Sequence, residues 1–159
     1  MSPEAELITR FYTAFQQKDW ATMAACYHPD AQFGDPAFPD LRGKQPGAMW
    51  RMLLESSTAL TLTFTDVQGA NGRGSAHWEA HYPFSQTGRQ VHNRIDAEFE
   101  FKDGLIWRHR DHFDFWAWSR MALGAPGLLL GWTPFLRNKV QRMAGERLQR
   151  FIAKHPEYA

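Results

Sequence analysis

The sequence predicts a single α+β domain: an antiparallel sheet with one face covered by N-terminal helices, and an added C-terminal helix. Three observations predict it. Apolar residues recur at helical spacing through the first third of the chain, and from Leu60 the period switches to two. Asn71-Gly72, Thr87-Gly88 and Asp103-Gly104 then punctuate the alternating segments at near-regular intervals, as consecutive hairpins require.

Ser2 followed by Pro3 reads as a helix N-cap with proline in the first turn, and Leu7, Ile8, Phe11 and Phe15 share one face of the helix that follows. Asp19 is placed to cap a short second helix carrying Trp20, Met23, Cys26 and Tyr27, which stops near Pro29. Ala31 to Asp35 is a brief extended segment, and Pro46 starts a third helix buried through Met49, Trp50, Leu53 and Leu54. Four strands come next. The last two alternate cleanly: Val91, Asn93, Ile95, Ala97, Phe99 and Phe101 on one face of the third, and Trp107, His109, Asp111, Phe113 and Phe115 on one face of the fourth. Residues 1–118 make up the α+β domain, and 119–159 form a helical extension packed on the same domain or on a dimer partner.

Composition narrows the functional classes. No apolar run approaches the roughly 20 residues a bilayer span needs, and the first residues lack a signal-peptide layout, so a cytoplasmic location is expected. Cys26 is the only cysteine, which excludes an internal disulfide and a multi-cysteine zinc site. Residues 1–118 carry 11 Lys and Arg against 15 Asp and Glu, whereas 119–159 carry 7 against 2. No basic patch interleaved with stacking aromatics accompanies that asymmetry, so nucleic acid is not an expected partner. The basic last helix, with Arg137, Lys139, Arg142, Arg147, Arg150 and Lys154, suits either a membrane surface or packing against protein, and packing is preferred.

The informative residues are the polar ones on the apolar face: Asn93, His109 and Asp111. A buried carboxylate must be hydrogen-bonded, protonated or open to a cavity. His109 and Asp111, two apart on one strand, share a face, so the carboxylate can orient and charge-support the imidazole. An internal network stitching helix to sheet is the competing reading of the same pair. Asp35, set among Phe33, Gly34, Pro36, Ala37 and Phe38, suits a base tuned toward neutrality, although spacing alone favours an Asx-turn before Pro36. His77, His81, His92 and His112 fall on the wet face by parity, so no metal site is expected.

The Ala-Gln-Phe-Gly-Asp-Pro segment from Ala31 to Pro36, Gly43, and the final Ile-Trp-Arg-His-Arg-Asp-His-Phe-Asp from Ile106 to Asp114 resemble the nuclear transport factor two-like superfamily. The likeness is to its SnoaL-like group, which includes ketosteroid isomerase, polyketide cyclases and limonene epoxide hydrolase. It spans about Leu7 to Trp118 and implies a cone-shaped, curved antiparallel sheet wrapped by the N-terminal helices around an internal pocket, commonly dimeric through the outer sheet face. The proton-shuttling aspartate of ketosteroid isomerase falls on Asp35, and its first-helix tyrosine falls on Phe11. Its oxyanion-donating acid falls nearest Ala97, so that oxyanion hole is missing as a unit. The water-activating last-strand aspartate of limonene epoxide hydrolase matches Asp111, whereas that enzyme's Arg-x-Asp pair falls on Trp78 and Ala80.

Residues and resemblance together lead to an expected acid/base isomerase, cyclase or hydrolase that needs no cofactor and acts on an apolar carbonyl, enol or epoxide compound. Asp35 moves a proton, Asp111 supports His109, and Asn93 donates to developing oxyanion charge. Trp78, Tyr82, Met49 and Trp50 are expected to line the pocket, with Phe11, Phe99 and Phe113 as further substrate contacts. A non-catalytic ligand-binding or dimerisation module is the alternative.

Overall fold

The computed structural model describes residues 1–159. Ser2 caps α1 (Pro3–Gln16) by accepting the Ala5 N–H at 3.1 Å, and Ile8, Phe11, Tyr12 and Phe15 are buried on its inner face. Asp19 caps α2 (Trp20–Ala25) through the Thr22 N–H. This helix ends sooner than the apolar spacing predicts, and Tyr27 opens β1 (Tyr27–Gly34) instead of closing the helix. His28 precedes a proline and is disfavoured in helix. Pro29 itself sits where the ladder register slips between Tyr27 and Gln32, so its missing N–H leaves no regular ladder bond unmade.

β2 (Leu41–Arg42) pairs antiparallel with β1, and α3 (Gln45–Ser56) then buries Met49, Trp50 and Leu54. The meander follows as β3 (Thr61–Ala70), β4 (Arg73–Pro83), β5 (Gln90–Lys102) and β6 (Leu105–His112), each antiparallel to the next. At Asn71-Gly72 and Asp103-Gly104 both residues take positive φ, the backbone of the two-residue hairpin turn that Asn-Gly and Asp-Gly favour. The sheet order is β2-β1-β6-β5-β4-β3, and β1 runs parallel to β6, the single parallel pair in an otherwise antiparallel, curved and unclosed sheet. The long excursion through β2, α3 and the meander allows that parallel return.

The fourth strand of the meander stops at His112, short of the predicted Phe113 and Phe115. Asp114 accepts the Ala117 N–H at 3.1 Å and starts α4 (Phe115–Leu123), so Phe115 is a buried helix residue. This helix runs across the boundary expected at residue 118. The Gly/Pro-punctuated apolar stretch folds as α5 (Ala125–Leu130), followed by α6 (Pro134–Lys154) and a closing 3-10 turn at Pro156–Tyr158.

The main core lies between one face of the sheet and α1, α2 and α3, with Leu148 of α6 included. Most of α6 lies over the open side of the cone, where Gln141 donates to the Pro36 carbonyl at 3.0 Å. Gly34 is required at the end of β1, because a Cβ there would come within 2.9 Å of the Pro39 carbonyl oxygen.

Candidate active site

A cavity of about 480 Å³ opens between the sheet, α3 and α6, a volume suited to a small organic molecule. Its wall includes Asp35, Trp50, Trp78, Tyr82, Asn93, Asp111 and Phe113 among mostly apolar neighbours. The parallel β1–β6 pair brings the two carboxylates together: Phe33 pairs with His109 and Gly34 with Arg110, so the next step of each strand carries Asp35 and Asp111.

Asp35 combines both sequence readings. Its Oδ1 accepts the Ala37 and Phe38 N–H groups at 2.7 and 2.6 Å, an Asx-turn before the chain doubles back. Desolvation among Phe38, Trp118 and the other cavity residues nevertheless pushes its pKa up to about 7, with the charge of Asp111 adding to the rise and the two backbone bonds opposing it. One oxygen is thus fixed by the backbone, leaving Oδ2 for a ligand.

Tyr82 stands close enough for the Asp35 charge to help raise its phenol, which burial above all pushes up to about 12. The Trp118 indole donates to the Tyr82 oxygen at 2.8 Å. Since an indole N–H can only donate, that oxygen accepts, and the phenolic proton remains available to the cavity. Asn93, paired with Ala80 across β4 and β5, is buried apart from the surface it offers the cavity.

Behind Asp111 lies a chain of four donors. Trp50 Nε1–H donates to the Tyr27 hydroxyl at 2.9 Å, and that hydroxyl lies 2.8 Å from His109 Nδ1. His109 Nε2 is 2.9 Å from Asp111 Oδ1, which also receives the Trp78 indole N–H at 3.4 Å. Asp111 fixes the direction: a carboxylate oxygen only accepts, so Nε2 carries the hydrogen and donates to it, and Nδ1 in that tautomer accepts from the Tyr27 hydroxyl, whose oxygen accepts from Trp50. Burial, the largest influence on Tyr27, raises its pKa well above that of a free tyrosine and keeps the phenol a donor.

This arrangement reverses the expected order within the pair. His109 is completely buried and does not line the cavity, with Phe99 stacked 4.3 Å from its ring and Phe33 edge-on at 5.0 Å. Both ring nitrogens are engaged, so the imidazole orients the carboxylate and Asp111 is the member that meets the cavity. Met49, Phe11 and Phe99 are likewise core residues away from the cavity wall. Helical and strand periodicity identifies the buried face, but a cavity occupies only part of that face.

Sequence reasoning missed Tyr27, Trp118 and Tyr12. Tyr27 reads from its spacing as helix but opens β1, and Trp118 lies in α4, whose start the alternating pattern reads as the end of a strand. The Tyr12 hydroxyl is buried with no hydrogen-bond partner, its pKa raised by burial first and by Asp111 second. It sits one residue from Phe11, where the resemblance places a tyrosine.

The outer sheet face holds the remaining strand histidines. His77 bridges Asp96 and Glu79 at 2.8 Å each, and His92 lies 2.6 Å from Glu79. These contacts raise the pKa of His77, Asp96 contributing most, and hold Glu79 down at about 2, His77 contributing most.

The fold and site together are an α+β cone with a carboxylate-bearing apolar cavity. Residues 8–109 match the family profile of the SnoaL-like domain, and the chain belongs to that family. No curated protein matches it. Among solved structures, an NTF2-like protein of unknown function from Burkholderia pseudomallei is similar with a TM-score of 0.67 at 17% identity, over 77% of this chain and 99% of that one. A candidate polyketide cyclase from Xanthomonas campestris gives 0.63 at 21% identity, over 75% and 96%. An LEH-like epoxide hydrolase from M. tuberculosis gives 0.61 at 19%, over 80% and 92%. At these identities the likeness is one of fold.

Proposed function

We propose that this protein is an acid/base enzyme acting on a largely apolar small molecule through a carbonyl, enol or epoxide group, with Asp35 as the proton-moving residue. The observation that carries the reading is Asp35 itself: one oxygen held by two backbone N–H groups, the other left for a ligand, and a pKa of about 7 inside an apolar cavity. A carboxyl so poised is populated in both protonation states near neutrality, as a group that takes and returns a proton needs to be. For a carbonyl substrate, Asp35 removes a proton from the carbon next to the carbonyl. The Tyr82 O–H and the Asn93 amide then donate to the enolate oxygen, and Asp35 returns the proton at another carbon. For an epoxide, a carboxylate held as Asp111 is held accepts a proton from attacking water while a cavity donor meets the opening oxygen.

The fold neighbours that carry cyclase and epoxide hydrolase descriptions support this range of chemistries without selecting among them. The test is a turnover screen over apolar ketones, enones and epoxides, followed by a pH profile of kcat/KM for any substrate found. A limb near pH 7 that disappears in Asp35→Asn is the expected result. Ligands that bind tightly, are never turned over, and bind Asp35→Asn equally well would instead favour the non-catalytic binding module.

A further inference from the structure

The helices that close the cavity present a second, outward surface. Leu128, Leu129, Trp132 and Phe135 are 52%, 68%, 72% and 69% exposed, with Leu130 beside them. Large apolar side chains concentrated in this way mark an interaction surface rather than ordinary surface scatter. The display is built, not frayed. Gly127 is pressed against the backbone of Ser119 and Arg120, where no Cβ fits. Trp116 Nε1 donates to the Leu128 carbonyl and Trp132 Nε1 to the Leu129 carbonyl, fixing α5 with its leucines outward.

Charge singles out the partner. From residue 115 to residue 145 the chain carries Arg120, Arg137, Lys139 and Arg142 and no Asp or Glu, and all four cations are exposed. An exposed apolar corner with a tryptophan, on a stretch of chain whose only charged side chains are cationic, complements the headgroup layer of an anionic bilayer. No helix is long and apolar enough to cross a membrane, so the contact would be interfacial. The inner face of α6 is already spent on the cone through Leu136 and Leu148, so the docking element is the α5–α6 corner and not the last helix lying flat.

We propose that the α5–α6 corner docks this protein on anionic lipid surfaces. Leu123, Pro126 and Lys139, neighbours of the patch in sequence, line the cavity, so docking sets the cavity's closing helices against lipid. The inference stands on the patch and its charge and does not require the cavity to be catalytic.

The experiment is flotation of the full chain with phosphatidylcholine vesicles and with vesicles containing 30% phosphatidylglycerol (about one lipid in three anionic, a typical test composition). Binding to the anionic vesicles is expected. It should fall by on the order of tenfold or more in Leu129→Glu/Trp132→Glu and fall, with loss of salt sensitivity, in Arg120→Gln/Arg137→Gln. Thermal unfolding of each variant establishes that it is folded. Absence of flotation with either vesicle overturns the proposal, as does binding that the Leu129/Trp132 variant leaves unchanged. Lipid-free sedimentation supplies a further arm: a dimer that dissociates in the Leu129/Trp132 variant would show that a second copy of the chain covers this surface, and would overturn it too.

Discussion

The Tyr27 hydroxyl lies 2.8 Å from His109 Nδ1, joining the first strand to the last across 82 positions of sequence. Because the Asp111 carboxylate can only accept, Nε2 of His109 carries the hydrogen, and Nδ1 in that tautomer accepts the Tyr27 proton while the Tyr27 oxygen accepts from Trp50. The buried face of the sheet thereby holds a cavity carboxylate in place through an imidazole the ligand never meets.

Tyr27→Phe should therefore cost about 1–3 kcal/mol of stability, the range for leaving buried polar partners unmatched, since both the Trp50 N–H and His109 Nδ1 lose their partner. Urea unfolding measures it. A cost near zero would mean that the network rearranges without this hydroxyl.

Asp35→Asn should stabilise the protein at alkaline pH. The sign follows from proton binding: with a folded pKa of about 7 against about 3.9 for an unfolded aspartate, the native state holds more proton between those values. The wild type therefore loses stability as pH rises through that window. Asparagine keeps the oxygen that accepts from Ala37 and Phe38 but has no proton to lose. The stability difference should be absent below pH ~4 and reach at most about 4 kcal/mol above pH ~7, at 1.36 kcal/mol per pH unit. Thermal unfolding at several pH values reads it directly.

Asp111→Asn should lower the pKa of Asp35, because the Asp111 charge contributes to raising it. Carbon-13 carboxyl titration of Asp35 follows this without needing a substrate. An unchanged midpoint would show that the two carboxyl groups do not sense one another.

Tyr82→Phe should cost about 1–3 kcal/mol of stability, since the buried Trp118 N–H loses its acceptor, while reducing turnover of a carbonyl substrate by roughly 10²–10³-fold, the usual effect of removing one donor to developing negative charge. A loss confined to KM would instead make the hydroxyl a ground-state binding contact.

Gly34→Ala should destabilise β1 and displace Asp35, since the added methyl would lie 2.9 Å from a backbone oxygen that cannot rotate away. Loss of the high Asp35 pKa together with a lowered thermal midpoint is the expected pair of effects.

What the sequence determined by itself is the part governed by local periodicity and turn chemistry. The first and third helices, the four-stranded meander, the turns at Asn71-Gly72 and Asp103-Gly104, and the inward facing of Asn93, His109 and Asp111 all follow from a repeat of 3.6 or 2 and from residues that tolerate positive φ. The end of the second helix was less legible, because a proline stops a helix without stating what comes next, and Tyr27 passed for helix although it begins a strand. Tertiary structure decided the site. Only the parallel pairing of β1 with β6 puts Asp35 beside Asp111, and only the packing of Phe99 and Phe33 around His109 removes that ring from the cavity. Likewise α6 becomes part of the cavity wall only by crossing the cone's open side. Periodicity reports which face of an element is covered; which residues on that face meet empty space depends on partners far away along the chain.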